Sequence, residues 1–207
     1  MRKLVVSLSG AFAAAVAWGF PSAVTYVTDD QTVELAASTI DKSKVTDTGT
    51  SNKYGSYVYA KLSDDGSGTL KVTVPNGAKT AIMWSVLFVT NGVLTLDLTD
   101  VAKAGIPYYQ RGGIVTRYPD ATGKMCEGKL IVKGLSELVC GDPNNSYERF
   151  EIGEGCLAFQ DADGDPVSDG KLTFGSSFVF VDAPDGMWRI ASDAKTVSLA
   201  SRAASIL

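Results

Sequence analysis

Apolar and polar positions alternate along most of the chain after residue 24. Leu70, Val72 and Val74 are separated by Lys71 and Thr73, and Leu94, Leu96 and Leu98 by Thr95 and Asp97. A period of two, with β-branched and aromatic residues, predicts strands that bury one face. Comparable runs lie at 57–62, 81–90, 113–118, 147–152, 177–182 and 187–191. Between the runs stand Asp64-Asp65-Gly66, Pro75-Asn76-Gly77, Asn91-Gly92, Asp142-Pro143-Asn144-Asn145 and Asp185-Gly186. These residue types tolerate turn conformations and separate the strands. Helix signals are confined to 100–105 and to 195–207, the latter a terminal helix or a last strand. The pattern predicts an all-β chain.

One local pattern recurs: glycine, any residue, leucine, any residue, apolar residue. It is found at Gly68-Thr69-Leu70-Lys71-Val72, Gly92-Val93-Leu94-Thr95-Leu96 and Gly128-Lys129-Leu130-Ile131-Val132. Gly155-Cys156-Leu157-Ala158-Phe159 and Gly170-Lys171-Leu172-Thr173-Phe174 repeat it. Glycine turns the chain without a Cβ penalty, and the next two apolar positions point to one face. The same short strand after the same turn is what the stacked rungs of a parallel β-helix or solenoid require. The spacings of 24, 36, 27 and 15 residues are irregular, and an antiparallel β-sandwich or jelly roll is the alternative. With these rungs, over about residues 66–182, the chain resembles the β-helical passenger regions of bacterial autotransporters and related surface proteins. That resemblance implies an extended, commonly adhesive surface scaffold with few catalytic groups.

The amino-terminal segment changes the picture of where this domain works. Arg2 and Lys3 precede an uncharged, largely apolar stretch through Ala17, and small residues offer cleavage after Ala17 or Ala23. That order is the order of a secretory signal peptide. Ser7, Ser9 and Gly10 dilute the stretch, which is shorter than the roughly twenty residues of a membrane span. The expected organisation is therefore a signal peptide at 1–23 and one β-rich domain at 24–207. Within that domain, 24–65 would be a cap or less regular strands and 66–200 the stacked short strands. The product would be secreted or held at the cell surface, with no span in the mature chain.

Composition excludes several kinds of chemistry. The 207 residues include no His, so Ser-His-Asp and Cys-His machinery and His-ligated zinc are ruled out. Nineteen Lys and Arg stand against 23 Asp and Glu, a net charge of −4, with no basic run to grip a phosphate backbone. Nucleic acid is not an expected partner. Cys126, Cys140 and Cys156 permit at most one internal bridge. A Cys126–Cys140 bridge would contribute about 3 kcal/mol, and three buried free thiols are the other reading.

Candidate chemistry is sparse, and no catalytic residue is assigned. Asp47-Thr48-Gly49 resembles the active-site loop of aspartic proteases, but its approach is polar and no second loop of the kind is present. Asp161, Asp163, Asp165 and Asp169 alternate in one turn and would present oxygens to Ca2+, although an EF-hand wants glycine where Pro166 stands. Gly153-Glu154-Gly155-Cys156-Leu157-Ala158 mimics a dinucleotide fingerprint without the helix that should follow. Ser192-Asp193-Ala194-Lys195 has Ser/Lys nucleophile spacing without a companion motif. Aromatic residues are the stronger lead. Among Tyr54, Tyr57, Tyr59, Trp84, Tyr108, Tyr109 and Trp188, the pairs Tyr57/Tyr59 and Tyr108/Tyr109 are the places to expect a sugar ring, and Trp84 belongs to the core. The leading expectation is a non-catalytic exported scaffold, adhesive toward an extracellular glycan or protein surface. A carbohydrate-binding module is the alternative, and a carboxylate-based hydrolase the third reading.

Overall fold

The computed structural model describes residues 24–39, 56–141, 150–153, 155–174 and 196–198. The expected signal peptide, the Asp47 loop, Tyr54, the runs at 177–182 and 187–191, Trp188 and the Ser192/Lys195 pair lie outside these residues, as does Glu154 of the glycine-rich motif. The chain begins with β1 (Val24–Thr28) and β2 (Thr32–Ala36). It continues with β3 (Tyr57–Lys61), β4 (Ser67–Thr73) and β5 (Ala81–Met83). Next come β6 (Val86–Phe88), β7 (Val93–Asp97), a short helix α1 (Thr99–Ala104) and β8 (Tyr108–Gln110). The following stretch holds β9 (Ile114–Val115), β10 (Arg117–Pro119), β11 (Met125–Glu127), β12 (Lys129–Lys133) and β13 (Glu137–Cys140). Then β14 (Phe150–Glu151), β15 (Leu157–Gln160) and β16 (Lys171–Phe174) precede β17 (Thr196–Ser198). Among the described residues the chain is all-β apart from α1, and residues 196–198 of the carboxyl-terminal segment form a strand.

The described strands sort into three five-stranded sheets, and from β3 to β16 the chain visits them in rotation. The first sheet is β1-β3-β6-β9-β14, the second β2-β4-β7-β12-β15, and the third β5-β8-β13-β16-β17. Neighbours within these sheets run parallel, and only β17 joins antiparallel, onto β16. A β10–β11 hairpin interrupts the rotation between β9 and β12. The same parallel pairing links β1 to β3 and β2 to β4.

The glycine-leucine pattern takes its meaning from this arrangement. Its first four copies are β4, β7, β12 and β15, consecutive neighbours in the second sheet; the fifth is β16, in the third. The short last spacing is therefore a step between sheets, not a step along one. Leu94 pairs with Leu130 and Leu130 with Leu157, whereas β4 is shifted so that Leu70 meets Leu96. A shift of two residues preserves which side chains face inward. Leu70, Leu94, Leu96, Leu130 and Val132 from the second sheet are fully buried. They share one core with Val58, Leu87 and Ile114 of the first sheet and Met83, Leu138 and Cys140 of the third.

Two glycines admit the close approach of successive passes. A Cβ on Gly112 would collide with the Ser85 carbonyl, and one on Gly128 with the Val89 carbonyl, leaving it only 2.6 Å from the Asn91 nitrogen. The run at 81–90 divides into β5 and β6 around a corner at Trp84-Ser85, with Trp84 buried. Helix α1 stops at Gly105, which adopts a left-handed conformation with φ 63°. Its Asp100 meets Lys71 of β4 at 3.0 Å, which ties the helix to the second sheet.

Candidate aromatic surface

Outward positions of the first sheet carry a column of aromatic rings. Parallel register places Tyr26 of β1 beside Tyr59 of β3, and Tyr59 beside Phe88 of β6. The Tyr59 and Phe88 rings stack at 4.8 Å with planes 13° apart, and Tyr26 stacks on Tyr59 at 6.1 Å. The shorter distance is close to the separation of adjacent strands, so the sheet itself sets the ladder spacing. Tyr57, one inward residue away on β3, lies 6.1 Å from both Tyr59 and Phe88. Tyr118, brought over by the β10–β11 hairpin, meets Phe88 edge-on at 6.4 Å with an angle of 84°. That ring stands as a wall beside the flat column.

This surface is apolar in its plane and polar at its rim. Tyr26 is 47% exposed and Tyr118 39%, and the Lys61 ammonium lies 4.0 Å from the centre of the Tyr26 ring. Partial burial raises the Tyr59 hydroxyl above the usual tyrosine value, helped by the neighbouring oxygens of Tyr57, Tyr26 and Tyr118. The Tyr59 hydroxyl therefore stays protonated and able to donate, among rings that offer C–H and π contacts. Such a surface suits a ligand with apolar C–H faces and hydroxyl edges.

The residues named from sequence separate into several places. Tyr57 and Tyr59 belong to the aromatic column. Tyr108 turns inward, only 4% exposed, and its hydroxyl donates to Gln110 Oε1 at 2.8 Å. Burial holds that hydroxyl well above its ordinary value. Tyr109 is on the outer side of the third sheet with the Arg111 guanidinium 4.6 Å from its ring centre. The four tyrosines thus do not converge. Tyr26, Phe88 and Tyr118, which sequence reading passed over, complete the surface in their stead. Their signal was only an outward position in an alternating strand, and nothing local pairs residue 26 with 59 or 59 with 88.

The acidic turn organises itself. Asp161 Oδ1 accepts the backbone N–H groups of Asp163 at 2.9 Å, Gly164 at 2.8 Å and Asp165 at 2.9 Å. The Asp165 amide foremost, then those of Gly164 and Asp163, hold this carboxyl below the usual carboxylate range. Asp163, Asp165 and Asp169 are exposed, and among the described residues no three acidic, cysteine or histidine side chains are grouped to hold a metal ion. Cys126, Cys140 and Cys156 are all free thiols. Cys140 is sealed within the third sheet, where burial pushes its thiol far up. Burial also raises Cys156, with the Glu127 carboxylate adding to the shift. No helix among the described residues is long and apolar enough to cross a membrane. No family model, curated protein or solved structure matches the chain.

Proposed function

We propose that this chain is an exported, non-catalytic surface scaffold folded as a parallel β-helix, and that it adheres through the aromatic face of the first sheet. The rotation through three mainly parallel sheets supports the β-helix reading: from β3 to β16, one strand from each sheet makes a coil, and each coil stacks on the one before. The order of charged, apolar and small residues in 1–23 supports export, as does the resemblance to autotransporter passenger regions. The observation that carries the adhesive reading is the in-register column Tyr26, Tyr59 and Phe88 on an outer face, flanked by Tyr57 and Tyr118.

The ligand chemistry that fits is an extracellular glycan. Sugar rings have C–H faces for the aromatic plane and hydroxyls for the tyrosine rim, and Lys61 adds a place for an acidic sugar substituent. The test is binding of the folded chain to an immobilised glycan panel. Tyr26→Ala with Tyr59→Ala should abolish saturable binding, whereas Tyr109→Ala should leave it unchanged. Binding that survives the double substitution, or none by folded wild-type protein, overturns the reading.

A further inference from the structure

The first sheet ends at β1, and the direction of its backbone groups can be worked out from the hydrogen bonds. The Val86 N–H donates to the Ser56 carbonyl at 3.0 Å, so even-numbered residues of β3 turn their backbone groups toward β6. Tyr57, Tyr59 and Lys61 then face β1. Because Tyr57 pairs with Val24 and Tyr59 with Tyr26, they are met by the groups of Thr25 and Val27. Val24, Tyr26 and Thr28 are left directing their N–H and C=O groups to the open edge.

That edge is closed at one end and open at the other. Gln31 covers Thr28: its Oε1 accepts the Thr28 N–H at 3.1 Å, and its own N–H donates to the Thr28 carbonyl at 3.1 Å. Among the described residues nothing covers the corresponding groups of Val24 and Tyr26. Both side chains are also exposed, Val24 at 44% and Tyr26 at 47%. The neighbouring edge strand β2 carries exposed Glu34 at its centre, a charge of the kind that discourages pairing. Strand β1 has no charged side chain.

We propose that the β1 edge pairs antiparallel with β1 of a second copy about a two-fold axis at Thr25. In that arrangement Val24 of each copy faces Tyr26 of the other, and each such pair exchanges both backbone hydrogen bonds. Only the open groups are used, and the blocked Thr28 is left outside. Centring the axis on Tyr26 instead would oppose Val24 to Thr28, whose N–H and C=O are already taken. The two open residues are thus complementary to themselves, which a two-fold interface requires. Val24 and Tyr26 project outward in both copies, so the two aromatic columns run into one surface. The pairing stands whether or not that surface binds a glycan.

Sedimentation velocity of the full chain over a concentration series tests this. The expected result is a species of twice the chain mass. Tyr26→Pro removes an N–H that makes no bond to β3 and blocks the edge, so this variant should sediment as a single chain while keeping the far-ultraviolet circular dichroism of the folded wild type. Val24→Lys with Tyr26→Lys, which sets like charges together across the axis, should do the same and covers the case in which proline fails to fold. A monomeric wild-type chain overturns the proposal, including the case in which residues 1–23 occupy the edge. So does a dimer that persists in a folded variant.

Discussion

Replacing Gln110 by leucine sets two physical effects of opposite sign against each other. Gln110 is fully buried. Its Oε1 accepts the Tyr108 hydroxyl at 2.8 Å, and its Nε2 donates to the carbonyl oxygens of Ser85 at 3.0 Å and Gly112 at 2.9 Å. Apolar burial alone favours leucine, by about 1.5–3 kcal/mol for a fully buried side chain. The substitution also strips a hydroxyl and two carbonyls of this partner, and each buried polar group left dry costs about 1–3 kcal/mol. With three such groups the polar loss outweighs the apolar gain, and the net destabilisation should be on the order of 3 kcal/mol. Urea unfolding followed by far-ultraviolet circular dichroism reads this as a lower midpoint. A second substitution sharpens the test. Tyr108→Phe alone should destabilise, because it removes a hydrogen bond inside the core; added to Gln110→Leu it should restore about 1–3 kcal/mol, because it removes a stranded hydroxyl. A midpoint for Gln110→Leu equal to or above wild type, or the same sign for Tyr108→Phe in both backgrounds, would refute the reasoning.

Two further outcomes follow from the geometry. Gly128→Ala should cost about 3 kcal/mol, the upper end for overpacking, because the atoms its Cβ meets are backbone and cannot swing aside. The measurement is the urea midpoint beside that of an exposed control, Gly123→Ala, which meets nothing within 4 Å but must adopt φ 84°. Asp161→Asn concerns pH. The folded carboxyl titrates below its unfolded value, so its contribution is present above the unfolded value and is lost as pH falls through the lower folded one. Thermal midpoints measured across that acid range should fall less steeply in the Asn variant than in wild type, and identical slopes would contradict the assigned role.

Among the described residues, the sequence by itself determined the all-β class, the turns at 64–66, 75–77 and 91–92 and much of the interior. The alternation at Leu70–Val72 and Leu94–Leu98 correctly marked side chains that are fully buried. Periodicity is local, so a strand announces its own buried face without reference to any neighbour. Other features were beyond its reach. Strand partners in the first sheet, such as Tyr26 with Tyr59 and Tyr59 with Phe88, are joined by connections of unequal length. No fixed period therefore brings them together along the chain. Which sheet a glycine-leucine copy enters was equally hidden, since β15 and β16 carry the same pattern yet lie in different sheets. Tyr108 and Tyr109 read alike beside Pro107, but β8 sends one inward to Gln110 and the other outward beneath Arg111. Tertiary structure decided these points because register is chosen by the columns it buries together, a property of the whole stack and of no single strand.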